Sequence, residues 1–334
     1  MKKKKSLKRL LSIVLSVLLI LVMTFIGINL YLDFLLNKTN QTETIDADDA
    51  DIDETIKELG AKANVVNIAL FGVDNDGNQS DEDRSDAIKI VSLNFDDKTI
   101  KITSVERDVV VFIPGDYQDY GHFNWAYWYG GASLAIKTLN YNLDMDITQY
   151  VSFSFQALQE IVDLLDGVEI DLTKAELNRI GISGSAGSYK LTGKQALAYC
   201  RIRKIDDDYH RMDRQQRVIQ AIVDKASQMS YTRLLGLLEE ILPYITTNLT
   251  TSEMRTYIYD LLDFNMDIAT YKLPSGGYDD TVNCPGLGGY LVQSYQAMAQ
   301  ELHDFIYGAG FYQPSQTLID NEMAIYSKYE IYPE

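Results

Sequence analysis

Apolar residues are arranged along this chain in several distinct ways, and each arrangement predicts a different kind of element. The longest uninterrupted run, Leu10–Leu32, holds 23 residues and no charged side chain; at about 1.5 Å per residue it spans the hydrocarbon core of a bilayer. Lys2–Lys5, Lys8 and Arg9 precede it and the first acidic residue, Asp33, follows it. The positive-inside rule therefore predicts a single-pass anchor, with residues 1–9 as a basic cytoplasmic tail and everything after the helix outside the cell membrane. The run is longer than the apolar part of a cleaved signal and lacks a small-x-small site, which favours the anchor. From 33 to 63 the apolar positions have no sustained period and acidic and polar residues dominate, the pattern of an extracytoplasmic stalk. A short helix over 53–59 is compatible with it.

Periodic order begins at residue 64. Val65–Val73 is a short apolar run of strand type, and the Asp/Gly/Asn/Ser-rich loop 74–85 follows it. A second strand is predicted over 87–95, a turn at Asp96-Asp97-Lys98, and an alternating third strand through Ile100, Ile102 and Ser104 that ends at Glu106-Arg107-Asp108. Leu134, Ile136, Leu139 and Leu143 have helical spacing over 131–143; strands at 150–153 and 168–172 flank a helix over 155–165. Thr192 caps a helix carrying Ala196–Cys200, and a longer helix runs from about 207 to 230. Further helices are expected over 234–241, after Thr251-Ser252, and over 291–306. With no repeat and no linker after 64, residues 64–310 read as one α/β domain of the α-β-α sandwich type, a central mixed sheet flanked by helices, and 311–334 as a tail.

Charge changes the picture in two places. Removing the six basic residues of the N-terminal tail from a net charge of −18 leaves −24 for the rest, a body that repels nucleic acid. Within that acidic body, Arg201, Arg203, Arg211, Arg214 and Arg217 are five of the chain's 11 arginines. On the helix from Asp207, Arg211, Gln215, Val218 and Ile222 share one face, so Arg211 and Gln215 extend the buried stripe at its N-terminal end. Forked guanidinium donors near a helix N-terminus suit a phosphate or pyrophosphate. The competing reading is a set of surface arginines balanced by Asp206, Asp207, Asp208 and Asp213.

The hairpin brings a second set of charges together, because the start of the second strand must lie beside the end of the third. Arg84, Asp86, Arg107 and Asp108 thus share a sheet edge, and Asp74 joins them if the first strand neighbours the second. Two or three carboxylates there suit a hard cation such as Mg²⁺ or Mn²⁺; solvated ion pairs at loop ends are the plainer alternative. Between the two sets, Phe123, Trp125, Tyr127, Trp128 and Tyr129 precede Gly130-Gly131, rings that either stack on sugars, wall a groove or pack in a core. His122 is a further phosphate-contact candidate. The two cysteines, Cys200 and Cys284, permit a disulfide outside the cell without implying one, and no zinc-ligand spacing or Ser-His-Asp set stands out.

NIALFGVD (67–74), RSD (84–86), ERD (106–108), FNWAYWYGG (123–131), LTGKQALAYCRIR (191–203) and RMDRQQRV (211–218) together resemble the LytR-CpsA-Psr family, in the right order and over roughly 65–225. The resemblance implies a membrane-anchored phosphotransferase that moves a glycopolymer, a teichoic acid or capsule for example, from a polyprenyl pyrophosphate carrier to peptidoglycan. It implies metal binding by Asp74 and Asp86, pyrophosphate contacts from Arg84, Arg107, Arg201, Arg203, Arg211 and Gln215, and an apolar groove for the polyprenyl tail. Arg84 and Arg107 would act in catalysis, with Asp108 orienting Arg107 or accepting a proton. The chain departs from the family pattern at His122, usually lysine, and at Trp125, usually histidine; Asp76 and Glu106 replace an arginine and a proline. If these changes have removed the chemistry, the alternative is a non-catalytic polyprenyl-phosphate or glycopolymer binding protein at the cell surface.

Overall fold

The computed structural model describes residues 23–24, 26–73, 84–202, 205–264 and 268–330. In chain order the elements that matter are β1 (Asn40–Gln41), α1 (Glu54–Ala63), β2 (Val65–Val73), β3 (Ser85–Asn94), β4 (Thr99–Val105), β5 (Val110–Ile113), β6 (Asp119–His122), α2 (Phe123–Leu143), β7 (Gln149–Ser154), α3 (Phe155–Leu164), β8 (Val168–Leu172), α4 (Lys174–Arg179), β9 (Gly187–Leu191), α5 (Gly193–Cys200) and α6 (Asp208–Ser227). They continue with α7 (Tyr231–Ile241), β10 (Ile245–Thr247), α8 (Thr251–Leu261), β11 (Ile268–Leu273), β12 (Thr281–Asn283), β13 (Tyr290–Val292), α9 (Tyr295–Tyr307) and α10 (Gln316–Tyr329).

Among the described residues, a seven-stranded mixed sheet has the order β1-β10-β7-β2-β3-β4-β11. Its centre is the meander β2-β3-β4; β7 lies parallel to β2 and β11 parallel to β4. The period of two along β2 sorts side chains between two layers. Val65, Ala69, Phe71 and Val73 face the main core with Ile136, Leu139 and Leu302, whereas Ile68 faces the opposite layer with Leu93, Ile100 and Phe264. The sheet therefore carries helices on both faces: α2, α9 and α10 on one, α6 and α8 on the other.

Two segments differ from their expected roles. Residues 33–63 are not a free stalk: residues 26–36 are helical, β1 adds to the sheet edge beside β10, and Ala50, Ile52 and Ile56 are buried in the main core. The acidic composition hides a sparse apolar set, and α1 is capped by Asp53, whose carboxylate accepts from Thr55 N. Leu35 and Leu36 pack with Leu242 and neighbours from α7 and α8, and Arg255 Nη1 lies 2.5 Å from Asp33 Oδ1. Residues 311–334 are likewise not a loose tail. Asp144, at the end of α2, accepts from Tyr312 Oη at 2.5 Å and from Ser315 N at 2.7 Å and Oγ at 2.6 Å, and α10 buries Leu318 and Ile325.

Of the expected membrane span, residues 10–22 and 25 lie outside the described residues; among the described residues no helix is long and apolar enough to cross a membrane. The described end of that span is apolar and outward-facing at Met23, Ile26, Ile28 and Leu30. Cys200 and Cys284 are both buried and both free, in separate clusters.

Candidate functional site

The β3-β4 register pairs Ile88 with Val105, which delivers the residues before β3 and after β4 to one end of the sheet. There Arg107 Nη1 forms an ion pair and hydrogen bond with Asp86 Oδ1, and Arg107 Nη2 lies 3.4 Å from Asp108 Oδ2. Asp108 Oδ1 is 3.7 Å from His122 Nδ1, whose Nε2 is 3.1 Å from the Gly288 carbonyl. The His122 ring stacks on Trp125 at 4.5 Å. Both departures from the family pattern thus make one contact pair, and both imidazole nitrogens face protein atoms. Val73 pairs with Ser85, so β2 also ends at this edge; Asp74, and with it the expected metal pair, lies outside the described residues, as do Asp76 and Arg203.

The second charged set approaches from α6. Asp207 caps this helix, accepting from His210 N at 3.0 Å, and the helical period turns Arg211 and Gln215 inward, 3% and 8% exposed. Arg211 Nη2 donates to the Asp86 carbonyl at 3.4 Å, which joins the helix to the sheet-edge charges. One turn on, Arg214 has a different fate: it is buried, donates to both carboxylate oxygens of Asp206 at 2.6 and 2.7 Å and to the Ile202 carbonyl at 3.0 Å, and lies 3.7 Å from Glu176. It is internal scaffolding, balanced by a carboxylate as the surface reading expected, but inside the fold. Arg217 donates to Tyr199 Oη at 3.1 Å.

Between the sheet and the layer formed by α3, α5 and α6 lies a narrow apolar pocket of about 30 Å³, whose Ala87 and Gln215 are the sequence neighbours of the charged edge at Asp86 and Arg211. Leu70, Phe153, Phe155, Leu158, Val218 and Ile219 line it, with Ala87 and Gln215 beside the charged edge. Arg201 lies over the Phe155 ring at 4.5 Å, and so belongs to the same rim. Gly72 keeps the wall thin, since a Cβ there would stand 3.0 Å from the Ala87 Cβ. Lys89 also contributes its stem to the wall, while its buried ammonium donates to Ser104 Oγ at 2.6 Å. With burial opposing the charge, its pKa falls to about 8.

Arg84, exposed at the start of β3, has its guanidinium 4.8 Å from the Trp128 ring. The aromatic segment divides by helical period: Phe123 is in the core, Tyr127 packs on Phe71 at 5.2 Å and half-buried Trp125 also packs against the core, while Trp128 is half-buried and Tyr129 exposed. Sequence reasoning missed two contributors. Gly288 comes from the β12-β13 loop, and a Cβ on the adjacent Gly289 would meet the Asp108 carbonyl at 2.4 Å and His122 Nε2 at 2.5 Å. The CPGLGG run (284–289) was the available signal. Lys89 was hidden because a lysine in a strand reads as a solvent-facing position.

This geometry defines a class of site: guanidinium groups gathered at a sheet edge next to an apolar wall suit an anionic head joined to an apolar group. Residues 30–303 match the LytR_cpsA_psr family, and the chain belongs to it. It is 31% identical over 240 residues to the polyisoprenyl-teichoic acid–peptidoglycan teichoic acid transferase TagT of Bacillus subtilis, covering 69% of this chain and 74% of the relative. To the corresponding TagU of Enterococcus faecalis it is 30% identical over 254 residues, covering 73% and 79%. A structure of TagT bound to LIIa-WTA superimposes with a TM-score of 0.60 at 27% identity, covering 72% of this chain and 91% of the other. A structure of the same protein with bound octaprenyl pyrophosphate lipid gives 0.55 at 26% identity, covering 72% and 90%.

Proposed function

We propose that this chain is a membrane-anchored transferase that moves a glycopolymer from a polyprenyl pyrophosphate carrier to a peptidoglycan hydroxyl outside the cell. The observation that carries this reading is the apolar pocket under the Asp86, Arg107 and Arg211 rim, and the transferase names of the relatives support it. The carrier's chain enters between the sheet and α6 as the walls of the narrow pocket part, and its pyrophosphate rests among Arg84, Arg107, Arg201 and Arg211, with Arg203 added by the resemblance. Gln215 contributes an amide at the boundary between chain and head. The acceptor hydroxyl attacks the phosphorus joined to the sugar. The bond from that phosphorus to the bridging oxygen breaks, and polyprenyl phosphate departs with the electron pair. Guanidinium groups fixed beforehand stabilise the charge gathering on the leaving phosphate. Asp108, held beside Arg107, accepts the hydroxyl proton. His122 reaches the phosphates only if it leaves Gly288 and Asp108.

A hard divalent cation fits the donor chemistry, since Asp86 offers carboxylate oxygen at the rim and the resemblance assigns Asp74 beside it. When bound, Mg²⁺ or Mn²⁺ would neutralise charge on the phosphate oxygens. The anchor is supported by the basic tail, the apolar run and the outward apolar side chains of residues 23–30. The test gives the full chain in detergent a short-chain polyprenyl pyrophosphate glycan, peptidoglycan oligomers and Mg²⁺, with Asp86→Ala as control. Release of polyprenyl phosphate with glycan joined to the acceptor is expected; lipid binding without turnover, unchanged in the control, would make the chain a binding protein instead.

A further inference from the structure

Outward from the rim, the aromatic segment forms a chain of rings that no step of the transfer uses. Arg84 lies over Trp128, Trp128 is 4.7 Å from Tyr129, and Tyr129 stacks on Tyr117 at 4.3 Å with 27° between the planes. The last pair opens into a cleft of about 470 Å³ on the far side, lined by Asp116, Tyr117, Tyr129, Gly130, Ser133 and Lys137 among others. The backbone explains why it exists. Gly130 and Gly131 break the helix, with φ of −151° and +63°; the second value is a left-handed conformation that favours glycine. Tyr129 stands at the edge of the break, 44% exposed.

Tyr117 is half-buried against the main core and holds the exposed Tyr129 ring by stacking on it. The pair's surroundings are polar but balanced: an exposed Asp116 carboxylate, an exposed Ser133 hydroxyl and the Lys137 ammonium. A flat apolar face bordered by donors and acceptors, without a net charge, matches the C–H face and the hydroxyl rim of a sugar ring. It does not match a polyanion. Burial and the Tyr129 hydroxyl push the Tyr117 phenol up to about 12, so it stays a neutral donor throughout the physiological range.

We infer that the cleft at the α2 break is a saccharide subsite, in which Tyr129 and Tyr117 stack a sugar ring of a glycan strand whose reacting end lies toward Arg84. The inference rests on the proposed transferase reading for the identity of the glycan. Either substrate of the transfer brings such sugars, the peptidoglycan acceptor or the carrier-linked donor.

The test measures binding by titration calorimetry on the full chain in detergent, with three probes: lipid-free glycan-strand oligosaccharides, a short-chain polyprenyl pyrophosphate glycan, and the same lipid pyrophosphate without sugar. Tyr129→Ala removes a stacking face, and Ser133→Trp fills the cleft from an exposed position that leaves the core intact. Both variants are expected to weaken oligosaccharide binding about tenfold, the scale of one lost stacking contact, with the sugar-free lipid bound as by the parent. A loss confined to the lipid-linked glycan supports a saccharide cleft serving the donor. Unchanged affinity for both sugar-bearing probes in both variants overturns the inference, as does an equal loss for the sugar-free lipid. A chain that binds oligosaccharide through the cleft but transfers nothing fails the transferase reading alone.

Discussion

Arg211 and Arg214 sit one turn apart on α6, both almost wholly buried, yet they reach different parts of the molecule. Around Arg214 the protein supplies its own counter-charges: both oxygens of Asp206, the Ile202 carbonyl and nearby Glu176. Arg211 reaches the strand-end carbonyl of Asp86, whose carboxylate pairs with Arg107. Arg214 ties the start of α6 to the chain before it, whereas Arg211 ties the same helix to the charged sheet edge. Clustering of arginines in sequence does not separate these two uses; the partners do.

The comparison is most severely tested by Arg214→Ala. Removing this buried guanidinium leaves the Ile202 carbonyl and buried Glu176 without it, so unfolding free energy is expected to fall by about 3 kcal/mol, measured by denaturant titration. A change below about 1 kcal/mol would mean the Arg214 cluster is not scaffolding. Lys89 offers a third case, a buried cation bonded to a hydroxyl. Its pKa is depressed to about 8 from 10.5, so between those values the unfolded chain binds more protons and stability rises with pH. Lys89→Met is expected to be more stable than the parent at pH 7, by up to about 3 kcal/mol, with the difference shrinking toward pH 10.5. Thermal unfolding of both proteins across that range checks it; parallel profiles would refute it.

Arg84→Ala should have the reverse signature to Arg214→Ala. It is exposed, so stability is expected to stay within about 0.5 kcal/mol, while kcat/KM for polyprenyl phosphate release falls about 100-fold. Loss of stability without loss of turnover would move Arg84 to the structural group. The smallest expected effect is that of Gly72→Leu, which intrudes on the pocket beside Ala87. KM for the lipid carrier should rise about tenfold with kcat little changed, the mark of lost uniform binding.

Local pattern made the central meander legible. Val65–Val73 and Val168–Leu172 coincide with observed strands, and β3 and β4 differ from expectation by a residue or two at their ends. The hairpin turn sets a register, and that register put Asp86 beside Arg107. Caps did the same for α5 and α6, where Thr192 and Asp207 accept the expected N-terminal hydrogen bonds. The β5-β6 hairpin, the short edge strand β10 and the parallel strand β11 carried too little pattern, because their pairings join segments distant in sequence. The division of the aromatic segment was half legible: helical spacing separates Tyr127 from Trp128, but the stacking of Tyr129 on Tyr117 joins segments apart in sequence.

Sequence alone determined the α/β class, the order of the central strands, the inward face of α6 and the meeting of charges at one sheet edge. All of these follow from periods of 2 and 3.6 and from turns that close locally. Tertiary structure decided which arginine is scaffold and which lies on the rim, that residues 40–63 and 311–329 belong to the packed body, and that Gly288 touches His122. Those outcomes depend on long-range burial. Whether a charge faces a carboxylate, a carbonyl or an open pocket is settled by elements that meet only when the chain has folded.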